Sequence, residues 1–148
     1  MQLKEIMTTD VEVIRPDSSV ADAAKKMKSL DVGALPVCDG QRLLGMITDR
    51  DITIRATADG RDPNNTLVRD CMSPEIVYCF EDQDISEAER IMQEKQIRRL
   101  PVLTREKQLA GIVALGDLAT KTDEPRAVGK TLEKVSEPGE KPSPAILL

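Results

Sequence analysis

The stretch Val32-Gly33-Ala34-Leu35-Pro36-Val37 has a partner 65 residues on, Ile97-Arg98-Arg99-Leu100-Pro101-Val102, in which Leu-Pro-Val returns unchanged. Toward the N-terminus the same offset sets Met27 on Met92, Ala23 on Ala88, Val20 on Ile85, Asp17 on Asp82 and Val11 on Ile76. It also sets Leu3-Lys4-Glu5-Ile6-Met7 on Val68-Arg69-Asp70-Cys71-Met72. Toward the C-terminus one inserted residue moves the offset to 66, and Gly45 then meets Gly111 and Asp51 meets Asp117. Proline, glycine and aspartate kept in register over such a span mark an internal duplication.

Both copies have the same local grammar. A strand is expected near Val11–Ile14 and again near Ile76–Phe80. Pro16-Asp17-Ser18-Ser19 supplies side chains that can accept from the free N–H groups of a first helical turn. Val20, Ala23, Ala24, Met27 and Leu30 then follow at helical spacing, as do Ile85, Ala88, Ile91 and Met92. Leu35–Cys38 reads as a short buried strand, with Pro36 at a strand start or edge because it lacks a donor. Asp39-Gly40 turns the chain into a strand over Leu43–Ile47. Thr48-Asp49-Arg50-Asp51 opens a second helix running to about Ala58. The second copy repeats this with Leu109–Val113 and a helix from about Gly116.

The expected fold is α/β (α+β), with two β-α-β-β-α repeats. Residues 1–58 form the first repeat, 59–66 a polar linker and 67–120 the second. A unit of this size buries too little apolar surface alone, so the two are expected to pack sheet to sheet with pseudo-two-fold symmetry. From residue 121 one short helix is expected over Pro125–Val135, with Val128, Leu132 and Val135 on one face. Ser136–Pro144 reads as disordered, and the apolar Ala145-Ile146-Leu147-Leu148 has no assigned role.

Composition narrows the function. Tyr78 and Phe80 are the only aromatic residues, which disfavours stacking on single-stranded nucleic acid. A net charge of -5 disfavours general attraction to phosphate backbones or anionic membranes. No apolar run approaches the roughly 18 residues of a membrane span, and the first residues lack the apolar core of a signal peptide. Histidine is absent, which removes the usual general base and the commonest zinc ligand. Cys38, Cys71 and Cys79 have no paired spacing and read as buried thiols in a reducing cytoplasm, without a metal. A non-catalytic, cytoplasmic protein is expected.

The ordered set of Val32–Val37, Leu44-Gly45-Met46-Ile47-Thr48-Asp49-Arg50-Asp51-Ile52 and their second copies resembles the CBS domain, which usually occurs as pairs called Bateman modules. The resemblance covers about residues 3–120. It implies a pseudo-two-fold pair with a cleft between its sheets, where many relatives bind AMP, ADP, ATP or S-adenosylmethionine. It also implies a regulatory role toward an attached or partner protein, with no chemistry of its own, and a disc-like homodimer formed through the helices. The second reading is a structural dimerisation module with an empty pocket.

Several residues are candidates for the ligand. Thr48 and Asp51, three apart where strand gives way to helix, can face a ribose with one donor and one carboxylate, or can simply cap the helix. Asp117 repeats Asp51, but Ala114 replaces the threonine, so the Asp51 pocket is expected to be the stronger. Arg98 and Arg99 suit phosphates as charge-assisted donors, or are solvated beside Glu94 or Glu106. Gly33 and Ala34 leave room for a base against the backbone. Val13 and Val77 are expected in its apolar wall.

Overall fold

Ser19 begins the first helix chemically as well as by position: its hydroxyl accepts the Asp22 N–H at 3.1 Å. Asp84 does the same for the equivalent helix, accepting from Ser86 at 3.0 Å. Both helices end on a non-glycine residue in the left-handed region, Asp31 and Gln96, again at equivalent positions. In this computed structural model, residues 1–122 and 125–138 are described. The helices are α1 (Val20–Leu30), α2 (Asp49–Ile52, continued by a π turn over Thr53–Thr57), α3 (Val68–Cys71), α4 (Ile85–Lys95), α5 (Leu115–Lys121) and α6 (Pro125–Ser136). The strands are β1 (Ala34–Asp39), β2 (Arg42–Thr48), β3 (Cys79–Phe80), β4 (Arg99–Leu103) and β5 (Leu109–Ala114).

β1 and β2 form an antiparallel hairpin, and β3-β4-β5 a three-stranded mixed sheet. The strand expected over Val11–Ile14 shrinks to one parallel bridge, Ile14 to Val37. Ile14 donates to the Pro36 carbonyl and accepts from the Cys38 N–H, each at 3.0 Å. Proline has no N–H with which to carry that ladder back toward residue 12, so it stops there. The strand expected over Ile76–Phe80 is likewise cut to Cys79–Phe80, beside the strand holding Pro101.

The opening segment of each repeat packs in the core of the other. Leu3 and Ile6 lie in a cluster with Ile85, Met92, Leu100 and Val113 of the second repeat. Val68 and Cys71 lie with Val20, Leu35 and Ile47 of the first. Each exchanged segment also pairs with an edge strand. Thr8 and Ile112 exchange N–H···O bonds of 2.8 and 2.9 Å, and Ser73 and Met46 exchange bonds of 2.8 and 3.1 Å. Full burial of a Leu or Ile contributes about 1.5–3 kcal/mol, against about 0.5–1.5 for a hydrogen bond. Burial therefore drives the exchange and the bonds fix its register. A third cluster joins the sheets, with Cys38 and Leu43 meeting Leu103 beside Tyr78 and Phe80.

The C-terminal helix packs on α4 through two of the three residues expected on its inner face. Val135 is buried and Val128 partly so, whereas Leu132 is 47% exposed. Thr131 takes the inward position, its hydroxyl donating to the Ala127 carbonyl at 2.8 Å and accepting from Gln93 Nε2 at 2.9 Å. A polar residue satisfied on both sides costs little to bury there. Most of the stretch expected to be disordered, and the final Ala145–Leu148, lie outside the described residues.

The exchange depends on two glycines. A Cβ at Gly45 would sit 2.4 Å from the Ser73 carbonyl oxygen, and one at Gly111 would sit 2.5 Å from that of Thr8. Both obstacles are backbone and cannot swing away. We expect Gly45→Ala and Gly111→Ala each to cost about 1–3 kcal/mol in chemical denaturation, the range for overpacking. Gly129→Ala, in α6 with open space at the added carbon, should stabilise by up to about 1 kcal/mol. A neutral effect at Gly45 and Gly111 would mean that the exchanged segments are not held this closely.

Candidate functional site

The exchange builds a cleft of about 350 Å³ between the repeats. One wall is the N-terminal segment, through Thr8, Asp10, Val11 and Glu12. A second is the entry to β1, with Val32, Ala34, Leu35 and Pro36. The third comes from the other repeat, with Arg99, Ile112, Ala114 and Asp117. Ala34 and Arg99 are equivalent positions of the duplication, so the two Leu-Pro-Val entries border one shared space.

Asp117 is the anchored acid of this cleft. Its Oδ2 accepts the Ala114 N–H at 2.8 Å, and its Oδ1 lies 3.1 Å from Lys121 Nζ. The carboxylate is 15% exposed and keeps lone pairs for further donors such as two vicinal hydroxyls. Arg99 is exposed at the rim. Neither Arg98 nor Arg99 has an ion pair among the described residues. Glu94, a candidate counterion for them, is engaged by Arg90 at 2.9 Å. Glu12 lies 3.5 Å from Lys26. Aliphatic Val11, Val32, Leu35 and Ile112 give the cleft apolar surfaces without an aromatic ring.

Of the nine candidate residues, the structure brings together Ala34, Arg99 and Asp117. Thr48 and Asp51 stand apart from the lining of this cleft and cap each other: Asp51 N–H donates to Thr48 Oγ1, and Thr48 N–H to Asp51 Oδ2, each at 3.0 Å. Gly33 lends its carbonyl to the Asp49 N–H at 2.9 Å, and Arg98 mirrors it by accepting from Leu115 at 2.8 Å. Val13 packs on the cluster joining the sheets and lines a smaller cavity of about 170 Å³. Val77 packs on the second core. The residues that sequence reasoning missed are Thr8, Asp10, Val11 and Glu12, because their place depends on the exchange. The one available signal was the pairing of Met46 with Ile112 in the repeat, both of which line the cleft.

This fold is that of a CBS pair, and the chain belongs to the CBS domain family, whose model matches residues 3–56 and 68–123. It is 42% identical over 134 residues to the CBS domain-containing protein YhcV of Bacillus subtilis, covering 90% of this chain and 94% of that one. It superposes on Hypoxic Response Protein I, solved with two coordinated zinc ions, with a TM-score of 0.75 at 36% identity, covering 82% of this chain and 99% of the other. CBSX2, solved in complex with AMP, gives 0.71 at 26% identity, covering 81% and 94%. Among the described residues no group of three His, Cys, Asp or Glu side chains is placed to hold a metal. None of the described helices is long and apolar enough to cross a membrane.

The cysteines lie in three different clusters. Burial pushes the Cys38 and Cys79 thiols up to about 11. These groups favour the folded state fully below the unfolded thiol's pKa of about 8.5, and that contribution is lost as pH rises through 11. At pH 8 the native protein should therefore alkylate at Cys38 and Cys79 at least about 100-fold more slowly than the denatured chain. Equal rates, read by mass spectrometry, would contradict the burial.

Proposed function

We propose that this chain is a regulatory CBS-pair module that binds an adenosine-containing ligand, AMP, ADP, ATP or S-adenosylmethionine, in the cleft beside Asp117 and signals its occupancy to a partner protein. The observation that carries this reading is the convergence of Asp117, Arg99 and Ala34 on one apolar-walled cleft. Asp117 accepts the ribose hydroxyls. Ala34, without a bulky side chain, lets the base lie against β1. Arg99 reaches the phosphate, with Arg98 beside it at the rim. The AMP complex of CBSX2 supports the ligand class. The two-fold-related Thr48 and Asp51 are a secondary site, since they lie outside the lining of this cleft. Val13, Val77 and Gly33 support the scaffold around both. The working form is a homodimer assembled through helices, the commonest closed symmetry.

A thermal-shift panel of AMP, ADP, ATP and S-adenosylmethionine tests the reading. At about 100 times the dissociation constant one of them should stabilise by roughly 2.7 kcal/mol, and light scattering should give twice the chain mass of 16.3 kDa. Asp117→Ala should weaken binding more than Asp51→Ala. Replacing Arg98 and Arg99 together with Ala should reduce ATP affinity at least about tenfold more than adenosine affinity. No shift with any of the four would favour the empty-pocket module, and a mass of one chain would remove the homodimer.

A further inference from the structure

The last side chain of α5 joins two things that the rest of the fold keeps apart. Lys121 Nζ lies 3.1 Å from Asp117 Oδ1 and also donates to the Ile6 carbonyl at 3.1 Å. Asp117 belongs to the second repeat and faces the cleft, whereas Ile6 belongs to the exchanged N-terminal segment. Two residues past Ile6 that segment pairs with Ile112, and it then forms the cleft wall from Thr8 to Glu12. One ammonium thus touches the anchored acid and the chain that builds the opposite wall.

The duplication supplies a built-in comparison. Arg55 occupies the position equivalent to Lys121, and its Nη1 donates to the carbonyls of Cys71 and Met72, each at 3.1 Å. Cys71 is the counterpart of Ile6. Both repeats therefore use a cation one turn after the acid to grip the C-terminal end of the exchanged segment. Asp51, like Asp117, accepts the N–H three residues before it, but among the described residues Arg55 makes no ion pair with Asp51. The grip and the acid are connected in the second repeat only, on the side where the cleft is.

We propose that Lys121 is a positioning residue for the ligand site, clamping the exchanged N-terminal segment to the Asp117 carboxylate so that docking of residues 3–12 and binding in the cleft are one coupled event. Asp117 is held between the Ala114 N–H and the ammonium, which fixes the direction of its free lone pairs. The ammonium in turn is held in place by a backbone carbonyl that exists at that spot only while Leu3 and Ile6 are docked. A ligand that hydrogen-bonds Asp117 and rests on Val11 therefore tightens the N-terminal segment, and loosening that segment weakens the ligand. The two effects are reciprocal by linkage. This rests on the reading of the cleft as an adenosine-ligand site. It adds that the N-terminal segment is the element through which occupancy is felt.

The test uses the full chain and its Lys121→Met, Lys121→Arg and Arg55→Met variants, with AMP and 2′-deoxy-AMP as probes in calorimetry. Methionine keeps the aliphatic stem of a side chain that is 46% exposed, so the variant should fold. The wild type should prefer AMP to 2′-deoxy-AMP. Lys121→Met should weaken AMP about tenfold and bring the two probes close together, because the ribose acceptor is no longer aimed. Lys121→Arg should restore most of both effects, and Arg55→Met should leave AMP affinity unchanged. Without ligand, Lys121→Met should quicken amide exchange at Ile6–Thr8 about fivefold relative to Ser73, and Arg55→Met should reverse that ratio. Wild-type AMP affinity and wild-type exchange in Lys121→Met would overturn the clamp. If the wild type takes up neither probe, the ligand reading fails by itself, and the ligand-free exchange ratio alone upholds or overturns the clamp.

Discussion

Two backbone approaches, Ser73 onto Gly45 and Thr8 onto Gly111, hold the rest of this molecule together. Each brings a carbonyl oxygen within about 2.5 Å of where a side chain would begin, and each allows a foreign segment to lie against a strand as if it were part of the sheet. The opening segments can then sink Leu3, Ile6, Val68 and Cys71 into cores that are not their own. Neither repeat has a complete core without the other. The halves are interlocked by chain exchange before any interface between their sheets is counted.

The cleft follows from the same constraint. A segment that has crossed over to pair with Ile112 must pass in front of β1 on its way back to Ile14, where it bridges to Val37. That path is what gives the cleft its wall of Thr8 to Glu12. The duplication predicts a twin cleft, but the sequence has drifted unequally. Both acids accept the backbone N–H three residues earlier, Asp117 from Ala114 and Asp51 from Thr48, but Asp117 also carries a lysine, while the Thr48 hydroxyl accepts the Asp51 N–H.

Much of the fold was legible because its signals are local. The offset of Leu-Pro-Val, the cap at Ser19, and the apolar spacing of α1 and α4 all report on neighbours within one or two turns. Pro36 was legible as a ladder-breaker, yet its effect fell on another segment, and the strand at Val11–Ile14 was lost for want of its N–H. Thr131 replaced Leu132 at the α6 contact because Gln93 meets it from α4, a partner that helical spacing cannot reveal. In the site, Ala34, Arg99 and Asp117 were readable as side chains on predicted element ends. Asp10, Glu12 and Lys121 were not, since their importance comes from a crossover that leaves no periodic trace.

Native-state hydrogen exchange of four amides, Thr8, Ile112, Met46 and Ser73, tests the interlocked architecture most directly. If the exchanged segments complete both cores, these amides of the unsubstituted chain open only when the whole chain unfolds, and all four report the same free energy as chemical denaturation, local opening at Thr8 or Ser73 appearing only once Lys121 or Arg55 is replaced. Exchange at Thr8 or Ser73 through a cheaper local opening, with the two cores still protected, would contradict the account.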